Sequence, residues 1–134
     1  MTSFARSNQS AVTVAEVNLV RWHGSQHPTY QSISQKMQEE GMRPYMCTYG
    51  VNARDGVRSN NYAKVLYCVE GVIEVNLPDL GQQIALRPGD RLELPRGIRH
   101  GITVGPNGAR CLEAAVRGSS AAGRMTTQEV KTLR

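Results

Sequence analysis

Residues 44–116 constrain the fold most, because short strand-like stretches alternate there with turns at nearly even intervals. The stretches are rich in Val, Ile, Leu and Tyr, and the turns contain Gly, Pro, Asn or Asp. Strands at this spacing, with no helices between them, are typical of antiparallel sandwiches and barrels. The predicted strands are 44–51, 62–71, 72–77, 82–87, 91–95, 100–105 and 109–116. The second and third of them form a pair joined around Gly71. Residues 52–56, "NARDG", are predicted as a turn.

The chain before this region predicts one more strand and one helix. Residues 11–22 alternate apolar and polar side chains and favour an edge strand. Residues 28–41 favour a helix, with Tyr30, Ile33 and Met37 as its apolar stripe and a glycine after its end.

A length of 134 residues fits one domain. We assign residues 11–117 to it, and 1–10 and 118–134 to polar or small-residue tails that we expect to be flexible. No apolar run approaches the ~20 residues that span a bilayer, and the N-terminus lacks the apolar stretch of a secretory signal. The sequence therefore predicts a cytoplasmic protein with no membrane partner.

Charge and cysteine content exclude further classes. The net charge of +5 is spread along the chain, with no basic run and no aromatic-rich strand, so we expect no nucleic-acid partner. The three cysteines include no C-x-x-C pair, and buried thiols are favoured over a disulfide or a zinc site.

Residues 88–100, "PGDRLELPRGIRH", predict a turn, a short strand, a second turn and then a histidine. Asp90 is predicted to cap the first turn. In the next strand His100 shares one face with Ile102 and Val104, because side chains alternate along a strand.

This segment resembles the second motif of the cupin superfamily, G-x5-P-x-G-x2-H-x3-N. Gly89, Pro95, Gly97 and His100 fit its spacing, and Val104 stands where the motif has asparagine. The phrase "KVLYCVEG", which ends at residue 71, resembles the end of the first cupin motif. The resemblance covers about residues 44–116 and is to small, single-domain, RmlC-like cupins. It implies an all-β double-stranded β-helix, or jelly-roll barrel, with one N-terminal helix.

The resemblance also implies where a metal would bind, because cupins commonly hold a divalent metal with three histidines and a glutamate. The matching positions here are Arg58, Asn60, Lys64 and His100. Charged arginine and lysine have no lone pair to donate, and two cations would repel the metal. We therefore expect no metal and no cofactor.

The same four residues predict a pocket. Positions 58, 60 and 64 have equal parity, and the family geometry would turn them toward the barrel interior with His100. Tyr62 is a further candidate for its lining. Such a pocket would be cationic and would suit an anionic or polar small molecule. In the alternative, Lys64 or Arg58 points outward through a bulge.

Three functions remain open at this point, and so does the question of whether the protein is an enzyme. The favoured one is a metal-free cupin that binds a small molecule, with or without slow isomerase-like chemistry. The second is a non-catalytic structural or regulatory homodimer that pairs through the edge strand. The third, a metal-dependent dioxygenase, isomerase or decarboxylase, is least favoured. Acid–base catalysis by His100 would need a carboxylate partner, and the sequence places none beside it.

Overall fold

The computed structural model describes residues 12–116. It contains one α-helix, a short 3-10 helix at Pro78–Leu80 and seven strands, and all the strand pairs are antiparallel. The elements are β1 Asn18–Val20, α1 Tyr30–Glu39, β2 Tyr45–Tyr49, β3 Arg54–Arg58, β4 Lys64–Leu77, β5 Gln82–Leu86, β6 Arg91–Leu94 and β7 His100–Ala115. The tails predicted for 1–10 and 118–134 lie outside the described residues. Within the described range, no helix has the length and apolarity needed to cross a membrane.

The two long strands, β4 and β7, pair with each other and organise the sheet into two halves. In one half the strand order is β1-β6-β4-β7-β2; in the other, β5 pairs with the second part of β4 and β3 pairs with the first part of β7. Apolar side chains from both halves form a single interior cluster. This is the predicted all-β jelly-roll architecture with one helix.

Helix α1 covers the outer face of the first half of the sheet. Thr29 caps it in a reciprocal pair of hydrogen bonds with Ser32. Ile33 and Met37 are buried in a second apolar cluster, together with Val65 of β4. The predicted helix is therefore confirmed, with its ends two residues inside the expected 28–41.

Two predicted strand breaks are wrong. β4 runs unbroken through Gly71, which has a φ of +78° and sits at a bulge rather than a hairpin turn. β7 likewise continues through residues 105–108, which bulge out opposite Val72 between the pairs Gly71–Ala109 and Ile73–Val104. The two bulges face each other where the halves of the sheet join, so they bend the sheet and do not end it.

Two further predictions need correction. The edge strand predicted for 11–22 is confirmed as an edge strand, but only Asn18–Val20 pair, with β6. Val14 instead packs into the helix-side cluster. The predicted turn 52–56 is wrong in part, because Arg54–Arg58 form β3 along β7.

The turn that precedes β6 is capped as predicted. Asp90 Oδ2 accepts from the Arg87 amide at 2.9 Å and from the Arg21 guanidinium at 2.7 Å. Asp90 Oδ1 accepts from the Trp22 amide at 2.9 Å. The same carboxylate therefore ties the N-terminal segment to the turn.

Candidate functional site

An open cavity of about 220 Å³, here called the barrel cavity, lies between β2, β3 and the ends of β4 and β7. All five residues singled out in the sequence line it. Arg58 ends β3, Lys64 begins β4 and His100 begins β7, while the other two come from the connection between β3 and β4. The strand ends meet there because β3 pairs with β7 at Arg58 and His100. The five are Arg58, Asn60, Tyr62, Lys64 and His100.

His100 is buried, with only 4% of its surface exposed. Its Nδ1 lies 3.2 Å from the Ile98 carbonyl oxygen, which can only accept, so Nδ1 carries the hydrogen. Burial lowers the pKa of His100; the Ile98 carbonyl and Glu113 oppose this, and Lys64 and Arg58 add to it. The imidazole is therefore neutral near pH 7. Its Nε2 is an acceptor with no hydrogen-bond partner among residues 12–116.

Lys64 points into the cavity and forms a buried ion pair. Its Nζ donates to Glu113 Oε1 at 3.1 Å, and the two side chains are 12% and 6% exposed. The Tyr45 hydroxyl donates to the same oxygen at 3.1 Å. Burial alone would raise the pKa of Glu113, but Lys64 and the donors Cys47 and Tyr45 bring it below its ordinary value. The alternative in which a bulge turns one of these cations outward is therefore wrong for Lys64, whereas Arg58 follows a bulge in β3 and its side chain is mostly exposed.

Arg58 lies at the rim of the cavity in a looser pair. Its Nη2 is 3.9 Å from Asp55 Oδ2, and its side chain is 63% exposed. Tyr49 also donates to that oxygen, at 3.4 Å. The lining thus holds two cations and two carboxylates. The expectation of a cationic pocket is wrong, because β7 and β3 supply Glu113 and Asp55.

Comparison with known proteins identifies the fold but not a close relative. No family model and no curated protein matches the chain. Among solved structures, the polyketide cyclase RemF from Streptomyces resistomycificus is 26% identical over 58% of each chain, with a TM-score of 0.52. A cupin superfamily protein from Desulfitobacterium hafniense DCB-2 is 13% identical over 75% of this chain and 76% of its own, with a TM-score of 0.51.

The chain has the cupin fold. The resemblance predicted from the segment around Gly89 and His100 is confirmed at this level. The match spans less than two thirds of the polyketide cyclase, and the likeness to the Desulfitobacterium cupin concerns the fold alone.

The four positions at which cupins hold a metal do not fit one here. Lys64 Nζ is engaged as a donor to Glu113, and Arg58 is a cation at the rim. Only Asn60 and His100 could offer a lone pair. Among the described residues, the matched set therefore lacks the histidines and glutamate of that centre.

Sequence reasoning missed the groups that β2 and β7 contribute to this cupin cavity. On β2, Tyr45, Cys47 and Tyr49 alternate with side chains on the other face, so all three reach the cavity. On β7, Glu113 follows two residues after Cys111, so it shares the inward face of a core cysteine. Position 113 therefore falls on the buried face of the strand. A glutamate there is the signal from which the carboxylate near His100 could have been predicted.

Proposed function

We propose that this cupin binds a small polar molecule in the barrel cavity without the histidine-bound metal of its family. The observation that carries the proposal is His100, a buried neutral imidazole whose Nε2 has no partner among the described residues. Among residues 12–116, Nε2 is not one of the fully enclosed unpaired atoms, so it is open to the cavity. A ligand hydroxyl or N–H can therefore donate to it in a largely buried site, where a hydrogen bond is stronger than in water.

The size of the cavity supports a small ligand. Its volume of about 220 Å³ is below the ~300–1,000 Å³ of drug-sized sites. Phenol, amide, imidazole and ion-pair groups dominate its lining. A metabolite with few carbons and more than one oxygen is the best match to this volume and polarity.

The placement of the charges favours a hydroxycarboxylic acid among such molecules. Glu113 lies inside the cavity and would repel a second anion there. Arg58 lies at the rim, is mostly exposed and is held only loosely by Asp55. Its guanidinium can therefore turn to bind a carboxylate through two hydrogen bonds. We infer that the hydroxyl end enters toward His100 and the carboxylate stays at the rim.

A thermal-shift screen followed by calorimetry tests this. The panel contains small hydroxycarboxylic acids, the matching neutral amides, and polyols. For an acid that binds, Arg58→Ala should weaken binding about 10-fold, the loss of one charge-assisted contact, and should leave the neutral amide unaffected. His100→Leu should weaken both ligands.

Arg110→Ala is the matched control. Arg110 is 53% exposed and lies 3.8 Å from Glu70, so it resembles Arg58 in exposure and pairing, but it does not line the cavity. Equal losses in Arg58→Ala and Arg110→Ala would contradict the proposed orientation. Failure of the whole panel to raise the melting temperature would contradict the proposed function.

Acid–base catalysis is a second candidate, favoured by the carboxylate that the structure adds near His100. Neutral His100 could accept a proton from a substrate carbon or hydroxyl, and Lys64 or Tyr45 could supply one on the other side of the reacting group. Similarity to a polyketide cyclase suggests a polycarbonyl substrate. The test is deuterium exchange at the activated carbon of a small β-dicarbonyl compound. Exchange catalysed by the wild-type protein but not by His100→Leu supports this function, and no exchange above the buffer rate rejects it.

A homodimer is the third candidate and could accompany either of the others. β1 lies at one end of the strand order, and Val20 and Trp22 near it are 43% and 37% exposed. An edge that has no partner strand within residues 12–116 and is flanked by apolar side chains can pair with a second copy. Sedimentation equilibrium should then give twice the chain mass, and Val20→Lys should shift it toward the monomer. A monomeric wild-type protein rejects this candidate.

A further inference from the structure

A cluster of two thiols and a carboxylate lies on the inner face of β2 and β7. Cys47 and Cys111 are direct Cα partners across these strands. Glu113 is two residues beyond Cys111 and shares its face. The donor atoms of the three side chains all lie within 4.8 Å of one another, and Cys111 Sγ is 3.8 Å from Glu113 Oε2.

These separations are close to those of a tetrahedral metal site. With Zn–S near 2.3 Å and Zn–O near 2.0 Å, neighbouring ligands lie about 3.5 Å apart for S and O and about 3.8 Å apart for two S atoms. The three donors of the cluster therefore need only small side-chain movements to reach one metal ion. Two strands that are already paired hold them in place.

The carboxylate is oriented for this role by residues that are not themselves ligands. Lys64 and Tyr45 both donate to Oε1 of Glu113. Oε2 is thereby left on the side of Cys111, as its 3.8 Å contact shows. Ligating carboxylates are commonly fixed by such outer hydrogen bonds.

The charges also balance. Two thiolates and one carboxylate carry three negative charges, and a divalent ion leaves one of them uncompensated. The Lys64 ammonium, 3.1 Å from Glu113, compensates that charge. The lysine that makes the family's own metal position unsuitable thus supports a thiolate site beside it.

We propose that Cys47, Cys111 and Glu113 bind a thiophilic divalent ion such as Zn²⁺, with a fourth coordination position open to the barrel cavity. Cys47 and Glu113 both line that cavity, and catalytic zinc sites commonly keep one such position for water or substrate. This site departs from the expectation that the chain binds no metal. That expectation rested on positions 58, 60, 64 and 100 and on the lack of a C-x-x-C pair. The new ligands come together only through strand pairing.

Cobalt titration of the full-length, reduced and metal-stripped protein tests the site. Co²⁺ alone is the probe, because its tetrahedral thiolate complexes absorb strongly through charge transfer from sulfur. We expect this absorption to saturate at one ion per chain and to disappear when Zn²⁺ is added. Cys47→Ser and Cys111→Ser should each weaken Co²⁺ binding at least 10-fold.

Cys68→Ser is the matched control. Cys68 lies on β4, directly opposite Cys111 of β7. Its Sγ donates to the carbonyls of Glu70 and Gly71 and is not part of the cluster. Its replacement should leave the cobalt absorption unchanged. Circular dichroism and melting temperature establish that each variant is folded. If a cysteine variant unfolds, protection of Cys47 from iodoacetamide by Zn²⁺ in the wild-type protein is measured in its place.

Several outcomes overturn the proposal. The first is the absence of a sulfur-to-cobalt band in the fully reduced protein. The second is retention of the band in the Cys47→Ser, Cys111→Ser double variant. The third is spontaneous formation of a Cys47–Cys111 disulfide in place of metal binding. Binding that requires His100 but neither cysteine would indicate a family-type centre and would reject both this proposal and the metal-independent binding proposed above. Failure of the small-molecule screen alone leaves the cobalt result standing, because the probe here is the metal itself.

Discussion

Replacing Lys64 by methionine tests the buried ion pair that Lys64 forms with Glu113 in the barrel cavity. Methionine keeps much of the length of the side chain and removes the charge, so Glu113 is left 6% exposed without its cation. Breaking a buried pair by removing one partner costs about 3–5 kcal/mol. The Tyr45 hydrogen bond survives and the cavity admits water, so we expect the lower end, about 3 kcal/mol. At roughly 4 °C per kcal/mol for a domain of this size, the melting temperature should fall by about 12 °C.

Urea unfolding of three variants measures this cost. Lys36→Met is the matched control, because Lys36 pairs with Glu40 at 3.8 Å with 58% of its side chain exposed; it should cost less than about 0.5 kcal/mol. Lys64→Met combined with Glu113→Gln removes both charges and should recover most of the loss. A Lys64→Met cost as small as that of Lys36→Met would refute the reasoning.

The pH dependence gives an independent signature. In the wild-type protein the pKa of Glu113 is lowered. Its contribution to stability is therefore present above the unfolded pKa of about 4.3 and is lost as pH falls through the folded value. In Lys64→Met, burial without the cation should raise this pKa, so protonation on acidification relieves the buried charge. The stability gap between the two proteins should narrow as pH falls from 7 to 4, and parallel curves would contradict this.

Three further predictions concern the bulge, the histidine and the turn. Gly71→Ala should lower the free energy of unfolding in urea by more than about 2 kcal/mol, because its φ is +78° and a Cβ would meet the Gly108 carbonyl oxygen. Gly81→Ala is the control: its φ is +62° but a Cβ there would stand in open space, so it should cost only about 1 kcal/mol. The His100 ring resonances should titrate by NMR with a midpoint below the ordinary ~6.5, and a midpoint above it would contradict the assigned environment. Asp90→Ala should cost about 2–4 kcal/mol, since two backbone amides and a guanidinium lose their acceptor; a cost below 1 kcal/mol would show that the cap is dispensable.

The turns around β6 were predictable because their causes are local. Gly89 and Gly97 have φ of +94° and +87°, conformations that favour glycine, and Pro95 fixes its own φ. A motif made of such residues specifies its backbone almost without help from the rest of the chain.

Gly71 shows where local reasoning fails. A glycine with positive φ suits a hairpin turn and a bulge equally well, and only the strand opposite decides between them. Here residues 105–108 bulge across from Val72, so β4 bends and continues. That partner segment is more than 30 residues away in the sequence, so no pattern close to Gly71 predicts it.

The candidate site was predictable only in part, because some of its residues belong to a local motif and others reach it through strand pairing. Arg58, Lys64 and His100 could be placed together because a motif sets their spacing and parity. Glu113 and Cys47 belong to no motif. Glu113 lies near the far end of β7, the strand that His100 begins, and Cys47 lies on β2, so both reach the cavity only through non-local pairing. Omitting Glu113, together with Asp55 of β3, made the expected pocket cationic, whereas the two carboxylates balance Arg58 and Lys64.

The most direct test of metal-independent ligand binding is an NMR screen that follows the His100 ring resonances in the wild-type protein. We predict that at least one small hydroxycarboxylic acid shifts these resonances in chelator-treated protein, and that Arg58→Ala weakens the effect while Arg110→Ala does not. The contradicting result is a His100 signal that responds to no compound without added metal, and that a divalent ion perturbs by direct coordination to Nε2.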